Sequence, residues 1–125
     1  MLSEKVKGLL VNQVNKEFYS AYLYLDFHDF YKDAGLDGYA NWYMIQAQEE
    51  RDHAMLFMQY LQQQGVRVKL EAIDMPDKEL KEFIDPLKAG AEHERVVTAL
   101  INDIYAAAYE DHDFRTMQFL DWFVK

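Results

Sequence analysis

Residues 48–57 read QEERDHAMLF, with Glu50 and His53 three positions apart. The apolar residues on either side, Tyr43, Ala47, Ala54, Phe57 and Leu61, recur in steps of three and four through Glu50. That is the period of one helix face. Glu50 therefore falls inside a stripe that should be buried, with His53 beside it one turn on. Burying an unpaired carboxylate costs several kcal/mol, so this stripe demands something that compensates the charge.

Two further stripes raise the same demand. Leu10, Val14, Glu17, Ala21, Tyr24 and His28 alternate steps of four and three, as do Leu87, Ala91, Glu94, Thr98, Ile101 and Tyr105. A single glutamate at a stripe edge snorkels to water, but three at matching depth in three helices converge and repel one another. Arg51 lies about 100° round the helix from Glu50 and is expected outside. Protons or metal ions are then the candidates inside. Glu50 and His53, about 5–6 Å apart on one side of the helix, can meet a single ion. Glu17 can complete that shell, and Glu94 can hold a second ion with Glu50 as bridge. One imidazole among carboxylates, with open positions, suits iron(II), manganese or zinc.

The composition narrows the function. The chain has 125 residues, half of them apolar, with few Gly and Pro. One domain with a real core is expected over residues 1–125. A formal net charge of −9 argues against nucleic acid as partner and favours attraction of cations. With no cysteine, disulfides, thiol catalysis, zinc fingers and iron–sulfur clusters are excluded. The amphipathic start MLSEKVKGLLVNQVNKEF lacks the apolar run of a signal peptide. No stretch approaches the roughly 20 apolar residues of a membrane span. No membrane partner and a cytoplasmic location are expected.

Helical periodicity organises the whole chain, without internal repeat. Segment A runs from Glu4 to Ala34, with Ser3 as N-cap and Gly35 as terminator. Segment B runs from Gly38 to Gln64, bounded by Asp37 and Gly65. Segment C begins near Pro86, capped by Asp85, and continues to about Asp111. Asp113 caps segment D, FRTMQFLDWFVK, which runs to Lys125. Between B and C, VRVKLEAI reads as extended and DKELKEF as one short turn. A connection of about twenty residues can span up to roughly 66 Å and return along a whole helix. B and C are therefore expected to be parallel, whereas the short A–B and C–D turns make antiparallel pairs. The expected fold is an all-α four-helix bundle with one long crossover between the second and third helices.

With these features in place, the sequence resembles the bacterial non-haem ferritins. The resemblance covers essentially all 125 residues. It is carried by VNKEFYSAYLYL around Glu17 and Tyr24, QAQEERDHAM around Glu50 and His53, AEHERVVTALIN around Glu94, and FRTMQFLDWFVK in segment D. The one-crossover bundle is itself the arrangement by which ferritin-like folds are described. The resemblance implies a shell of twenty-four subunits around an iron-mineral cavity, with a di-iron ferroxidase centre in each bundle. Glu17, Glu50 and His53 resemble ligands of the first iron, and Glu50 and Glu94 those of the second. Glu49 resembles a ligand of a third iron site. Tyr24 resembles the tyrosine beside the centre that supplies an electron or a hydrogen bond, or else is a core aromatic. Trp122 resembles a tryptophan packed near the centre. In the family, helix D continues beyond Lys125. The continuation supplies a glutamine near the second iron, glutamates for the third site and a short fifth helix lining a four-fold pore, so a further tail is expected here.

Neighbouring families fit less well. Bacterioferritin has a second E-x-x-H, where Glu94 is followed here by Val97. It also binds haem through a methionine next to the first motif's His, where this chain has Asp52. Met44, Met55 and Met58 read as core filler. Rubrerythrin needs four cysteines. His93 is expected on an exposed flank of segment C, and His28 as a hydrogen-bonded core residue. Glu110, Asp111, Asp113 and Asp121 are expected at the C–D corner, either as a solvated group or, as the resemblance implies, beside a three-fold iron channel. The functional expectation is iron storage with oxidation of Fe(II) by dioxygen or hydrogen peroxide. A di-iron oxidase or peroxidase without storage, and a metal-free structural bundle, are the alternatives.

Overall fold

Ser3 begins the first helix as its position implies: its hydroxyl accepts the Val6 N–H at 3.2 Å. The computed structural model describes residues Met1–Phe123; Val124 and Lys125, the end of expected segment D, lie outside the described residues. Four helices follow in order: α1 (Glu4–Asp33), α2 (Asp37–Gln63), α3 (Asp85–Glu110) and α4 (Phe114–Asp121). No strand occurs among the described residues. The all-α bundle expected from the periodicity is the observed fold.

Gly35 and Gly65 end α1 and α2 in the left-handed region, both at φ 77°. Leu36 N–H bonds Tyr31 O and Val66 N–H bonds Leu61 O, each at 2.9 Å, which closes the last helical turns. The α3–α4 corner uses the same device with His112 at φ 54° in the glycine's place. Asp113 caps α4 by accepting the Thr116 N–H at 3.1 Å and its hydroxyl at 2.6 Å. Asp85 does not cap α3. Its carboxylate turns back to accept the N–H groups of Lys81 and Glu82 at 2.9 and 2.8 Å, because the chain folds over it as it enters the helix. The expected turn at DKELKEF is confined to its end, at residues 83–84.

The crossover, residues 64–84, runs along α1. Asn15 grips it midway, donating to Lys69 O at 3.0 Å and accepting Glu71 N–H at 2.8 Å. Tyr31 at the far end of α1 donates to Phe83 O at 2.6 Å. This places the start of α3 beside the end of α1, and Ser3 at the start of α1 bonds Asp111 just after α3. Helices α2 and α3 are therefore parallel.

Burial divides the interior into two apolar clusters. One gathers Val6, Leu10, Val14, Phe57, Leu61, Val97, Ile101, Ile104, Ala108 and Leu120. The other is aromatic, with Leu23, Tyr24, Phe27, Tyr31 and Tyr43. The expected stripes of α1 and α2 are buried as read, apart from half-buried His28. The α3 stripe is corrected. Its inward face is Pro86, Gly90, Val97, Ile101, Ile104 and Ala108, while Ala91, Glu94 and Thr98 are exposed. Among the described residues, α3 packs against α1 and α4.

Replacing Asp113 with Ala removes the α4 cap and frees Thr116, whose hydroxyl also meets Tyr60 at 2.7 Å. An N-cap is worth about 1 kcal/mol, and the extra buried hydrogen bond raises this to about 1–2 kcal/mol. Urea unfolding of the Asp113→Ala variant is expected to show that loss.

Candidate metal centre

Glu17 and Glu50 enter between the two apolar clusters, one from α1 and one from α2. Both are buried, at 1% and 5% exposure. Glu17 follows Val14 by one turn and Glu50 precedes Ala54 by one turn, so the packing that joins the helices also carries the carboxylates inward. Gln13, itself buried, donates its amide to Glu17 Oε1 at 2.8 Å. Glu17 Oε2 and Glu50 Oε2 are buried and have no hydrogen-bond partner among the described residues. Between them stands His53, with Nδ1 3.4 Å from Glu50 Oε2 and 3.9 Å from Glu17 Oε2.

These three residues each offer a ligand atom, and the three atoms lie within 4.8 Å of one another. They line a cavity of about 260 Å³ together with Glu94, Val97, Thr98 and Trp122. The donor set, two carboxylate oxygens and one imidazole nitrogen, matches a divalent transition ion. Orphaned buried oxygens are rare because they are costly, and here a cation would satisfy both. The residues present therefore fit an iron ion.

The other residues singled out from the sequence fall around this group. Glu94 lies on the exposed flank of α3, outside the group of three, and lines the same cavity. Its carboxylate accepts a very short hydrogen bond from the Tyr24 hydroxyl. Tyr24 is buried with its ring tilted against Phe27 and Tyr43, so it is both a core aromatic and a polar partner of Glu94. Glu49 is exposed and is not brought into the group. Trp122 stands edge-on to His53 at 5.6 Å. Arg51 is exposed and pairs with Asp52.

Two expectations are corrected. His93 is half-buried, not exposed: its Nε2 lies 2.7 Å from the Ser20 hydroxyl. The ring packs against Tyr19 and Tyr24 of α1. Asp121 is not at the C–D corner; it lies at the far end of α4, where its charge reaches Tyr105. His28 does bond within the core edge, Nδ1 to Ala40 O at 2.7 Å. Gln13, Asn15 and Ser20 were not singled out. Polar residues in mid-helix carry no periodic signal of their own, although Gln13 stands one turn before Glu17 and could have been sought there.

The electrostatics follow from burial. Desolvation raises the Glu17 carboxyl to about 9, and the neighbouring Glu50 adds to the rise. Desolvation also raises Glu50, opposed by its interaction with Glu17 and helped by the charges of Glu94 and Glu49. Burial pushes Tyr24 up strongly and Tyr43 to about 12, and pulls the His93 imidazolium down. Tyr24 is thus a neutral donor to Glu94, and His93 is neutral.

The description of the ferritin-like domain matches residues 7–125. The chain belongs to the ferritin-like family. It is 34% identical to the probable bacterial non-heme ferritin-like protein of Haemophilus influenzae, over all of this chain and 76% of that one. It is 35% identical to the bacterial non-heme ferritin of Campylobacter jejuni, over 99% of this chain and 74% of that one. The open pore ferritin of the hyperthermophilic archaeon Archaeoglobus fulgidus superposes with a TM-score of 0.95 at 39% identity, covering 99% of this chain and 76% of that one. The chain spans about three quarters of the length of these ferritins. No helix among the described residues is long and apolar enough to cross a membrane.

The raised carboxyls set the pH dependence of the metal-free ferritin-like bundle. A raised acid stabilises the fold in its protonated form. That contribution is full below the ordinary value of 4.5 and is lost as pH rises through the folded values. Melting temperature of the metal-free protein is expected to fall between about pH 5 and about pH 9, chiefly through Glu17. The Glu17→Gln variant, with no proton to lose at that position, is expected to show a flatter profile.

Proposed function

We propose that the protein stores iron, oxidising Fe(II) at a two-ion centre formed by Glu17, Glu50, His53 and Glu94 and depositing the ferric product inside a multi-subunit shell. The observation that carries this reading is the pair of orphaned buried carboxylate oxygens facing one imidazole in a single cavity. Family membership supports the same activity. Iron is here the substrate and the cargo.

In this reading Glu17 and His53 bind the first ion, Glu50 lies between the two, and Glu94 binds the second. Loading the centre expels the proton that burial favours on Glu17, and His53 binds as the neutral ring, so affinity falls in acid. Each Fe(II) gives up one electron. Dioxygen takes the two electrons with two protons to become hydrogen peroxide, or hydrogen peroxide takes them to become two waters. Anionic oxygen ligands favour the harder Fe(III) and so assist the loss of the electron. Gln13 holds Oε1 of Glu17 and leaves Oε2 for the ion. Tyr24 holds one oxygen of Glu94 and stands within reach as an electron donor. Glu49 at a third site remains part of the proposal, placed outside the cavity. The exposed Tyr22, Leu25, Trp42 and Ile45 on α1 and α2 are more apolar surface than a lone bundle needs. They support assembly with further copies into the twenty-four-subunit shell, in the cytoplasm.

The test is the Glu50→Ala variant. Rapid Fe(II) oxidation, followed by ferric absorbance, is expected to fall at least about 10–100-fold, the cost of losing even a group that only supports a ligand. Helix content should be unchanged, since the substitution removes a buried carboxyl and adds a strong helix former. Oxidation at the parent's initial rate would refute the site. Elution of the parent as a lone bundle would refute storage while leaving an oxidase.

A further inference from the structure

Glu94 presents a difficulty that the metal centre alone does not resolve. It lies on the exposed flank of α3, yet the second ion needs it at the mouth of the cavity. At this height α3 faces α1 through few large side chains. Gly90 and Val97 are its buried residues, two turns apart, and His93 is the ring between them.

The hydrogen bonds around His93 are specific. Ser20 is wholly buried, and its hydroxyl donates to Lys16 O at 3.0 Å. A hydroxyl has one proton. The 2.7 Å contact between Ser20 Oγ and His93 Nε2 is therefore donated by the ring, which fixes the proton on Nε2. The same ring stands edge-on to Tyr24 at 5.9 Å and tilted against Tyr19 at 5.8 Å. Tyr24 in turn donates to Glu94. One imidazole thus ties α3 to α1 and flanks the tyrosine that holds its own neighbour in sequence.

We propose that the Ser20–His93 hydrogen bond is a positioning clamp, which fixes α3 at the height of the centre so that Tyr24 can hold Glu94 toward the second ion. This rests on the two-ion centre proposed above. His93 and Ser20 touch no ion; both act through Glu94. The first ion's residues stand on α1 and α2 and bond Gln13 or one another rather than His93, so the clamp serves the second ion. Below it, Val97, Ile101, Ile104 and Ala108 keep α3 on the bundle whether or not the clamp is made.

The test is calorimetric titration of the full chain with Zn²⁺, which is redox-inert and accepts carboxylate and imidazole ligands. The variants are Ser20→Ala, His93→Asn and His93→Gln. The Gln amide nitrogen reaches about as far as Nε2, whereas the Asn amide stops short. The parent is expected to bind two ions per chain. Ser20→Ala and His93→Asn should bind the first with parent affinity and the second about 10–100-fold more weakly, with helix content unchanged. His93→Gln should restore the second. Parent-like binding of the second ion by Ser20→Ala and His93→Asn overturns the clamp alone. Equal weakening of both ions overturns it too, as a general loosening of the fold. A parent that binds fewer than two ions overturns the two-ion centre, and the clamp with it.

Discussion

Glu17 and Glu50 meet across the α1–α2 interface with two oxygens that no hydrogen bond among the described residues satisfies. The core is built around this deficit. Above it lies an aromatic cluster, below it a mostly aliphatic one, and each presses the two helices together. Neither cluster needs the carboxylates, and together they hold them where water cannot. The tension between apolar packing that is favourable and ionic burial that is not is stored in one thin layer. A proton relieves it partly and a divalent ion relieves it more fully, because an ion answers both oxygens and the imidazole at once. Binding is thereby coupled to the fold through a defect that the fold keeps in place.

The supporting residues divide by which ion they serve. Gln13 and His53 act on the α1–α2 side, where the helices are long, antiparallel and joined by a short turn. Glu94 depends on α3, which reaches the centre only after a long crossover and is exposed along its outer flank. Tyr24 and Ser20, both on α1, link the halves. Helix α1 is the common wall against which α2, α3 and the crossover are all registered.

Much of this was legible in the sequence, for a physical reason. Period and caps are local, and Ser3, Asp113, Gly35 and Gly65 act where their spacing places them. The stripes of α1 and α2 were readable because each helix is enclosed along its length. The α3 stripe was not. Its period is equally clear, but which of two adjacent faces is buried depends on the neighbours that α3 packs against, and no local pattern encodes that. Glu94 was found at the cavity but not in the core. Asp85 looked like a cap because it precedes Pro86, yet its best donors lay behind it. Ser20, Gln13 and Asn15 were silent, since a mid-helix polar residue acquires meaning only from a partner, and two of these partners lie more than fifty positions away.

The grip of Asn15 on the crossover changes what that segment is. Doubling a flexible loop costs only about 0.6 kcal/mol in closure entropy, so length by itself constrains the connection weakly. Its register does constrain it, because two backbone groups, at Lys69 and Glu71, must arrive together at one side-chain amide. Evolution can therefore lengthen the strap between Glu71 and Phe83 at small cost. An insertion between Gly65 and Lys69 would instead shift those two groups past the amide. The connection behaves as two spacers of different tolerance, and new surface features have room to arise in the second.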